Sequence, residues 1–213
     1  MISVIIPAYN EEENIKTVIN ICKNNDNVDE IIVVNNLSTD KTEEIAKSEG
    51  ARVVFCGQKG KGYAMEKGIK EAKNDCIVFL DGDIKDYRTD VIELLANPIL
   101  EEKADFVKAG FEREHGRVTF LVAQPLLSIV FPNMKKYEQP LSGMIAGKKE
   151  FFEKIEFEKD YGVDIGILLD MISLKAKIEE VHIGKIENVS KDWRLLQAMC
   201  TEVMRAILKR SNQ

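Results

Sequence analysis

The fold is decided by the stretch Cys76-Ile77-Val78-Phe79-Leu80-Asp81-Gly82-Asp83, a continuous apolar run that leads directly into an acidic turn. Apolar runs of this length are typical of strands that are covered on both faces, as in parallel sheets. Two carboxylates that flank one small residue at a strand end can both point towards the same hard cation. Taken alone, the triplet is more typical of an Asp-Gly turn with a solvated neighbour, so the metal-site interpretation depends on the rest of the sequence.

Three further apolar runs precede this stretch, at residues 3–6, 30–34 and 52–55. Each is followed by helix signals: an acidic cluster at 10–14, a capping segment at 38–42 that leads to a helix closed by Gly50, and a glycine-rich loop at 57–62 before a helix to about residue 73. This alternation predicts an α/β fold with a mostly parallel sheet flanked by helices. Ligands bind at the carboxyl ends of such strands, where Asn10, Asn35, Lys61 and Asp81 lie.

The second half of the chain has a less regular pattern. We expect strands at 104–111 and 178–181, a strand-to-helix passage at 146–152, and helices at 118–131, 161–174 and 192–209. The apolar stretch 118–131 is interpreted as a buried or dimer-facing helix, with contact to a membrane surface as the lesser alternative. No linker composition separates the halves, so the sequence predicts one continuous domain.

Composition excludes some classes of protein. A formal net charge of −6 over 213 residues argues against a general nucleic-acid binder. The four cysteines show no paired spacing, which favours free thiols, a reducing compartment and therefore the cytoplasm. Residues 1–7 are expected to form a strand and not a signal peptide, and no run is long enough for a transmembrane segment.

The acidic turn is the last of four motifs that occur in order along the first half of the chain. VIIPAYNEE at 4–12, VVNNLSTDKT at 33–42, GKG at 60–62 and FLDGD at 79–83 together resemble the nucleotide-binding half of family 2 glycosyltransferases. The resemblance implies a GT-A, Rossmann-like fold and a Mg²⁺ or Mn²⁺ ion that stabilises the leaving nucleoside diphosphate. The family usually has an aspartate at the position of Asn35, although an amide can also hydrogen-bond a base or a ribose hydroxyl.

The second half carries a more specific resemblance. GRVTFLVAQPLL at 116–127, FP at 131–132, QPLSG at 139–143 and YGVDIGILLD at 161–170 are similar to segments of glucosyl-3-phosphoglycerate synthases. This implies a nucleotide-sugar-binding half at 1–110 and an acceptor-binding, C-terminal helical half at 111–213. The implied reaction moves a hexose, expected to be glucose, from a UDP- or GDP-hexose to a small phosphoglycerate-like acid, with retention at the anomeric carbon.

The same resemblance implies roles for individual residues. It assigns nucleotide and donor-sugar binding to Pro7, Tyr9, Glu11, Asn35, Asn36, Lys61, Asp81 and Gly143. Asp81 and Asp83 match the metal-binding pair, and Asp164 matches an acidic residue that contacts the sugar hydroxyls. Asp83 and Asp164 are therefore the candidate catalytic residues.

The acceptor and the third metal ligand follow in the same way. Arg117 and Thr119 match residues that hold the acceptor's phosphate and carboxylate, a task that suits a guanidinium fork. The family usually supplies a histidine as third metal ligand, and an alignment through Gly184 places Asn188 there. An amide oxygen is acceptable to Mg²⁺. His182, on a predicted edge strand, is interpreted as structural.

Other functions compete with this interpretation. A polyprenyl-phosphate glycosyltransferase would use a lipid acceptor and usually invert, and the GRVT segment argues against it. A catalytically weak sugar-nucleotide binder would account for the missing histidine and for Asn35. A sugar-1-phosphate nucleotidyltransferase is disfavoured because the first strand lacks a glycine-rich, arginine-bearing loop. We also expect a homodimer.

Overall fold

The computed structural model describes residues 1–112, 116–186 and 192–211. Seven strands form one sheet: β1 (Ile2–Ala8), β2 (Val28–Asn35), β3 (Arg52–Phe55), β4 (Cys76–Phe79), β5 (Phe106–Glu112), β6 (Ile145–Lys148) and β7 (Ile178–Lys185). The α-helices are α1 (Ile15–Lys23), α2 (Thr42–Ser48), α3 (Lys61–Glu71), α4 (Val91–Leu100), α5 (Gln124–Val130), α6 (Lys149–Phe152), α7 (Val163–Ser173) and α8 (Trp193–Arg210). A π-helical turn (Thr119–Ala123) precedes α5, and a 3₁₀ helix (Pro132–Lys136) follows it.

The sheet is mostly parallel, as predicted, with the strand order β3-β2-β1-β4-β6-β5-β7. β1 to β4 run parallel to one another, and β7 runs parallel to β5, but β6 is antiparallel to both of its neighbours. Because β6 is reversed, the loop that enters it lies at the edge where β1, β2 and β4 end. In the β4–β6 register, Phe79 at the end of β4 pairs with Ile145 at the start of β6.

Helices cover both faces of the sheet and divide the core into two buried layers. Successive residues of β1 alternate between them: Val4 and Ile6 belong to the layer that includes α1 and α4, whereas Ile5 belongs to the layer that includes α3 and α7. The sheet is therefore apolar on both sides, which accounts for the uninterrupted Val and Ile runs in the sequence. Polar ligands are thereby confined to the ends of the strands.

Three sequence-based expectations need correction. The helix expected to open at Ser38 begins at Thr42, because the preceding loop folds back onto β1 through the contacts of Asn10 and Asn35 described below. The stretch 118–131 is not one regular helix: Pro125 cannot donate a backbone hydrogen bond, and a π-helical turn precedes α5. Helix α4, which contains Pro98, was not anticipated.

Other expectations are confirmed. All four cysteines are free, and Cys22, Cys56 and Cys76 are buried. His182 lies on the edge strand β7, where its Nδ1 accepts a hydrogen bond from the backbone of Gly184 at 3.2 Å. Among the helices that the structure describes, none is both long and apolar enough to span a bilayer.

Candidate active site

The ends of β1 and β2 are joined by side chains from the two following loops. Asn10 takes a left-handed backbone conformation (φ 57°), and its Oδ1 accepts a hydrogen bond from the backbone N–H of Thr39 at 2.8 Å. In return, the backbone N–H of Asn10 donates to Ser38 Oγ at 3.0 Å. Asparagine tolerates this conformation better than most residues. These two hydrogen bonds, which we call the Asn10 clasp, hold both loops at the carboxyl edge of the sheet.

Asn35 and Asn36 are both almost fully buried, and their amides bond to the protein itself. Asn35 Nδ2 donates to Glu43 Oε2 at 2.6 Å, and its Oδ1 accepts from the backbone of Ser38 at 2.9 Å. Asn36 Nδ2 donates to the carbonyl of Gln58 at 2.5 Å, while its Oδ1 accepts from Gly60 N–H at 2.8 Å. Asn36 therefore shapes the glycine-rich loop before α3. For both residues, direct contact with a nucleotide stays a prediction.

Lys61, at the start of α3, lies between two acidic side chains from distant parts of the chain. Its Nζ contacts Asp81 Oδ1 at 2.8 Å and Asp164 Oδ2 at 2.9 Å. Asp164 lies in the first turn of α7 and is only 6% exposed. Its second oxygen, Oδ1, is buried with no hydrogen-bond partner among the described residues. The fold thus unites three of the predicted site residues in one charge cluster. It also leaves a buried acceptor there for a polar ligand.

The pKa values in this cluster reflect burial opposed by neighbouring charges. Burial by itself lowers the pKa of Lys61, but the carboxylates of Asp164 and Asp81 outweigh it and hold that pKa above its usual range. Burial raises the pKa of Asp164, and the Lys61 ammonium opposes this shift. Lys61 therefore stays charged at neutral pH and provides a fixed cation beside the acidic turn.

The backbone of Gly143 lies so close to this cluster that a side chain would not fit at this position. A methyl group built on Gly143 would overlap Lys61 Nζ and Asp81 Oδ1, and would lie 2.9 Å from Asp81 Oδ2. The glycine loop is equally restricted, since methyl groups on Gly60 and Gly62 would overlap the carbonyls of Lys159 and Glu158. Glycine permits these close approaches of the backbone. The space around Lys61 is thus shaped by backbone.

The acidic turn after β4 suits a hard divalent cation. Tyr87, which is buried, donates its hydroxyl to the backbone carbonyl of Asp81 at 3.0 Å and so braces the turn, while Asp83 is exposed. Carboxylate oxygens are the ligands that Mg²⁺ and Mn²⁺ favour, so the donor set fits such an ion. Within 1–112, 116–186 and 192–211, no three His, Cys, Asp or Glu side chains are grouped to hold a metal. Asn188, the predicted third ligand, lies outside the described residues.

The residues predicted to line the nucleotide site surround the same turn. A methyl group on Gly82 would lie 3.3 Å from Glu11 Cγ and 3.4 Å from the carbonyl of Pro7, so both residues pack against the acidic turn. Tyr9 is 46% exposed, and Lys59 Nζ lies 5.1 Å from the centre of its ring. A half-exposed ring beside a cation provides a surface on which a flat, anionic ligand can rest.

The predicted acceptor residues lie in a separate segment at the start of the second half. Arg117 packs its guanidinium over the ring of Trp193 on α8, 4.7 Å from the ring centre, and Trp193 is 68% exposed. Thr119 opens the π-helical turn and is fully buried. The structure fixes the orientation of Arg117 through an aromatic surface and not through burial. Acceptor binding by Arg117 and Thr119 stays a prediction.

Two residues near the cluster were missed by sequence reasoning. Tyr87 gave no signal, since an aromatic residue in a polar loop has no special pattern. Lys108 was detectable as the single charge inside the apolar run Phe106-Val107-Lys108-Ala109-Gly110-Phe111. It is fully buried in β5, and its Nζ donates to the carbonyl of Ser142 at 2.8 Å, directly before Gly143.

Known proteins resemble this chain over nearly its whole length. Glucosyl-3-phosphoglycerate synthase from Mycobacterium tuberculosis (strain ATCC 25618 / H37Rv) is 34% identical over 98% of this chain and 73% of its own length. The enzyme of that name from Petrotoga mobilis is 32% identical, with the same two coverages. A crystal structure of the M. tuberculosis enzyme with Mn²⁺, UDP-glucose and phosphoglyceric acid matches with a TM-score of 0.94 and 35% identity, covering 100% of this chain and 80% of that chain.

The metal-binding and nucleotide-binding expectations agree with these relatives. Another structure of the M. tuberculosis enzyme contains Mg²⁺ and UDP, again with a TM-score of 0.94. The predicted GT-A fold is confirmed by the same structural matches. Residues 3–154 match the sequence profile described as Glycosyl transferase family 2, which covers more than half of the chain. With the Lys61–Asp81–Asp164 cluster at the expected edge of the sheet, this protein belongs to glycosyl transferase family 2.

Proposed function

We propose that this protein transfers glucose from UDP-glucose to a phosphoglycerate-like acid in a metal-dependent reaction. The observation that carries the proposal is the likeness, over all of this chain and 80% of the other, to the enzyme solved with Mn²⁺, UDP-glucose and phosphoglyceric acid. The local chemistry agrees with it, because one edge of the sheet provides carboxylates for a cation, a fixed ammonium and a buried acceptor oxygen. A GDP-linked donor stays an alternative for the activity assay.

The acidic turn and Lys61 would act on the leaving group. Asp81 and Asp83 would hold Mg²⁺ or Mn²⁺, which supplies positive charge to neutralise the departing diphosphate. Lys61 adds a second, permanent cation from the start of α3. Because its charge is already fixed by two carboxylates, little reorganisation is needed when the sugar–phosphate bond breaks.

Asp164 would orient the donor sugar. Its unpartnered Oδ1 can accept a hydrogen bond from a sugar hydroxyl, while Oδ2 stays with Lys61. The backbone of Gly143 lies directly against Lys61 and Asp81, so no side chain of the 142–144 segment intrudes on the carboxylates that would face the sugar. We propose retention at the anomeric carbon, with the leaving diphosphate taking the proton of the acceptor hydroxyl on the same face, so that the protein contributes positioning and charge.

Arg117 and Thr119 would bind the acceptor. A guanidinium can form two parallel hydrogen bonds to a phosphate, and Trp193 holds that of Arg117 in a defined plane. In this arrangement the donor would bind at the edge of the sheet, and residues from the second half of the chain would bind the acceptor.

A donor-by-acceptor activity matrix tests the proposal. UDP-glucose, GDP-glucose and GDP-mannose are each incubated with 3-phosphoglycerate or a polyprenyl phosphate, in Mg²⁺, Mn²⁺ or chelator. We expect glucosylated phosphoglycerate from UDP-glucose with metal only, and the coupling constant of its anomeric proton in NMR to show retention. Sugar recovered only in the lipid fraction, or nucleotide binding without any transfer, would overturn the proposal.

The proposed enzyme is a cytoplasmic homodimer. Four free cysteines, three of them buried, support a reducing compartment. The stretch 118–131, which we expect to face a partner subunit, exposes large apolar side chains, with Leu121 69% and Ile129 78% exposed. Exposed apolar surface of this kind is typical of subunit interfaces. Light scattering coupled to gel filtration should give twice the chain mass of 24.1 kDa, and Ile129→Asp should shift the protein towards monomer.

A further inference from the structure

Lys108 is a buried ammonium with little local compensation. It lies within the sheet, paired in register with Ile145 on β6 and Glu180 on β7, and its side chain is completely inaccessible to solvent. Its Nζ donates a hydrogen bond to the carbonyl of Ser142 at 2.8 Å. In the described part of the chain, no carboxylate forms an ion pair with it at 4 Å or less. A lysine here is costly for the fold.

The pKa of Lys108 reflects the unfavourable burial of its charge. Burial lowers the pKa of Lys108 to about 8, Asp164 opposes the shift, and the nearby Lys61 adds to it. An apolar side chain of similar length would fill the same space without this penalty. Charged residues that break the packing rule at such a cost are expected mainly where function needs them.

The position of the ammonium indicates what it does. Ser142, whose carbonyl it holds, directly precedes Gly143, and Gly143 lies in close contact with Lys61 and Asp81. The 142–144 segment therefore separates two lysines: Lys108 on the side of the core and Lys61 on the side of the proposed donor. Asp164 is influenced by the charges of both. The segment is also the entry to the reversed strand β6.

We propose that Lys108 is a positioning residue, whose ammonium fixes the Ser142–Gly143 backbone against the Lys61–Asp81–Asp164 cluster and thereby sets the position of the donor sugar. Lys108 takes this role only if a sugar binds beside Asp164, so the inference rests on the proposed function. It predicts an effect on the sugar part of the donor and on turnover, with little effect on the nucleotide part.

Lys108→Met tests this assignment, because methionine has a similar shape but neither charge nor donor. Lys149→Met is the matched control: Lys149 Nζ also donates to a backbone carbonyl, that of Ala72 at 2.8 Å, but Lys149 begins α6, beyond the end of β6 away from the cluster. For each protein we would measure the affinities for UDP and UDP-glucose with Mn²⁺ by calorimetry, kcat for transfer, and the thermal unfolding midpoint.

We expect Lys108→Met to bind UDP within about two-fold of wild type but UDP-glucose at least about five-fold more weakly. Its kcat should fall at least about 30-fold, since a small displacement of a reacting group is sufficient for such a loss. Its unfolding midpoint should stay within a few degrees of that of wild type or rise, because a buried charge has been removed. Lys149→Met should leave both affinities and kcat unchanged.

Lys108→Gln, which keeps a shorter donor without charge, provides a second variant and should fall between wild type and Lys108→Met. Equal UDP-glucose affinity and kcat in both Lys108 variants and Lys149→Met would overturn the inference, as would a loss of stability without a change in those two quantities. If wild type transfers no glucose to phosphoglycerate, the proposed function fails. The ratio of UDP-glucose to UDP affinity still decides the role of Lys108.

Discussion

The proposed donor cluster around Lys61 and the proposed acceptor segment around Arg117 hold their cations in different ways. Lys61 is 18% exposed and already lies between two carboxylates, whereas Arg117 packs on the face of an exposed tryptophan. The first arrangement fixes charge before any ligand arrives. The second orients a guanidinium, a group suited to forked hydrogen bonds with phosphate, over an aromatic ring. The difference indicates that the sheet preorganises the proposed donor site, whereas an exposed aromatic side chain orients the cation of the proposed acceptor segment.

We expect the largest effect from removing Asp83, the exposed carboxylate of the acidic turn in the donor region. Asp83→Ala should lower kcat/KM roughly 1,000-fold, because the cation beside the leaving diphosphate loses a ligand. Asp86→Ala, an exposed carboxylate of the same loop, serves as control and should be nearly silent. Steady-state kinetics over a Mn²⁺ titration provides the measurement. Full metal-dependent activity in Asp83→Ala would refute the metal assignment.

The buried charge behind the donor cluster should be visible in stability against pH. The folded pKa of Lys108 is about 8, below its ordinary value of 10.5, so the unfolded chain binds the proton more tightly. Its contribution to stability is therefore fully present above pH 10.5 and is lost as the pH falls through 8. Between these limits it amounts to about 3 kcal/mol.

Denaturant unfolding of wild type and Lys108→Met between pH 7 and 10 isolates this contribution, because other titrating groups are common to both proteins. We expect the stability of wild type relative to the variant to increase with pH. A difference that is flat across this range would mean that the folded protein holds the Lys108 proton as firmly as the unfolded chain does, so that neighbouring charges compensate its burial.

Closing the space beside the cluster tests its preorganisation directly. Gly143→Ala should reduce kcat about 100-fold, since the added methyl group displaces either Lys61 or Asp81. Gly57→Ala, in the glycine-rich loop, is the control, because its methyl group meets only the exposed ring of Phe55 at 3.3 Å. Unchanged turnover in Gly143→Ala would show that the cluster adapts and is not rigid.

The acceptor segment should respond more mildly and in a different parameter. Arg117→Ala should raise the KM for phosphoglycerate about 10- to 50-fold through loss of charged hydrogen bonds, with UDP affinity unchanged. Arg205→Ala, whose exposed guanidinium pairs with Asp160 at 3.3 Å, is the matched control. Weaker UDP binding in Arg117→Ala would place Arg117 in the donor site and remove the distinction between the two regions.

Much of the proposed donor site could be predicted to lie at one edge of the sheet, because local patterns place its residues at strand ends. The run that ends at Asp81 and Asp83, the glycine loop before Lys61 and the clasp residue Asn10 all follow strands whose apolar periodicity is visible in the sequence. In an α/β sheet these strand ends must converge. The amides of Asn35 and Asn36 could not be interpreted in this way, because their hydrogen-bond partners, Glu43 and Gln58, lie on the next helix and in the glycine-rich loop and follow no periodic pattern.

Sequence by itself determined the α/β class, the parallel core of the sheet, the acidic turn and the family, since each depends on short-range pattern or on ordered motifs. Only the tertiary structure decided that β6 runs against its neighbours and so brings Gly143 to Asp81. It likewise decided that Asp164, 103 residues from Lys61, completes the cluster. The contact between Lys108 and the Ser142 carbonyl, next to Gly143, is also visible only in the structure. These contacts depend on strand direction and long-range packing, for which no local pattern exists.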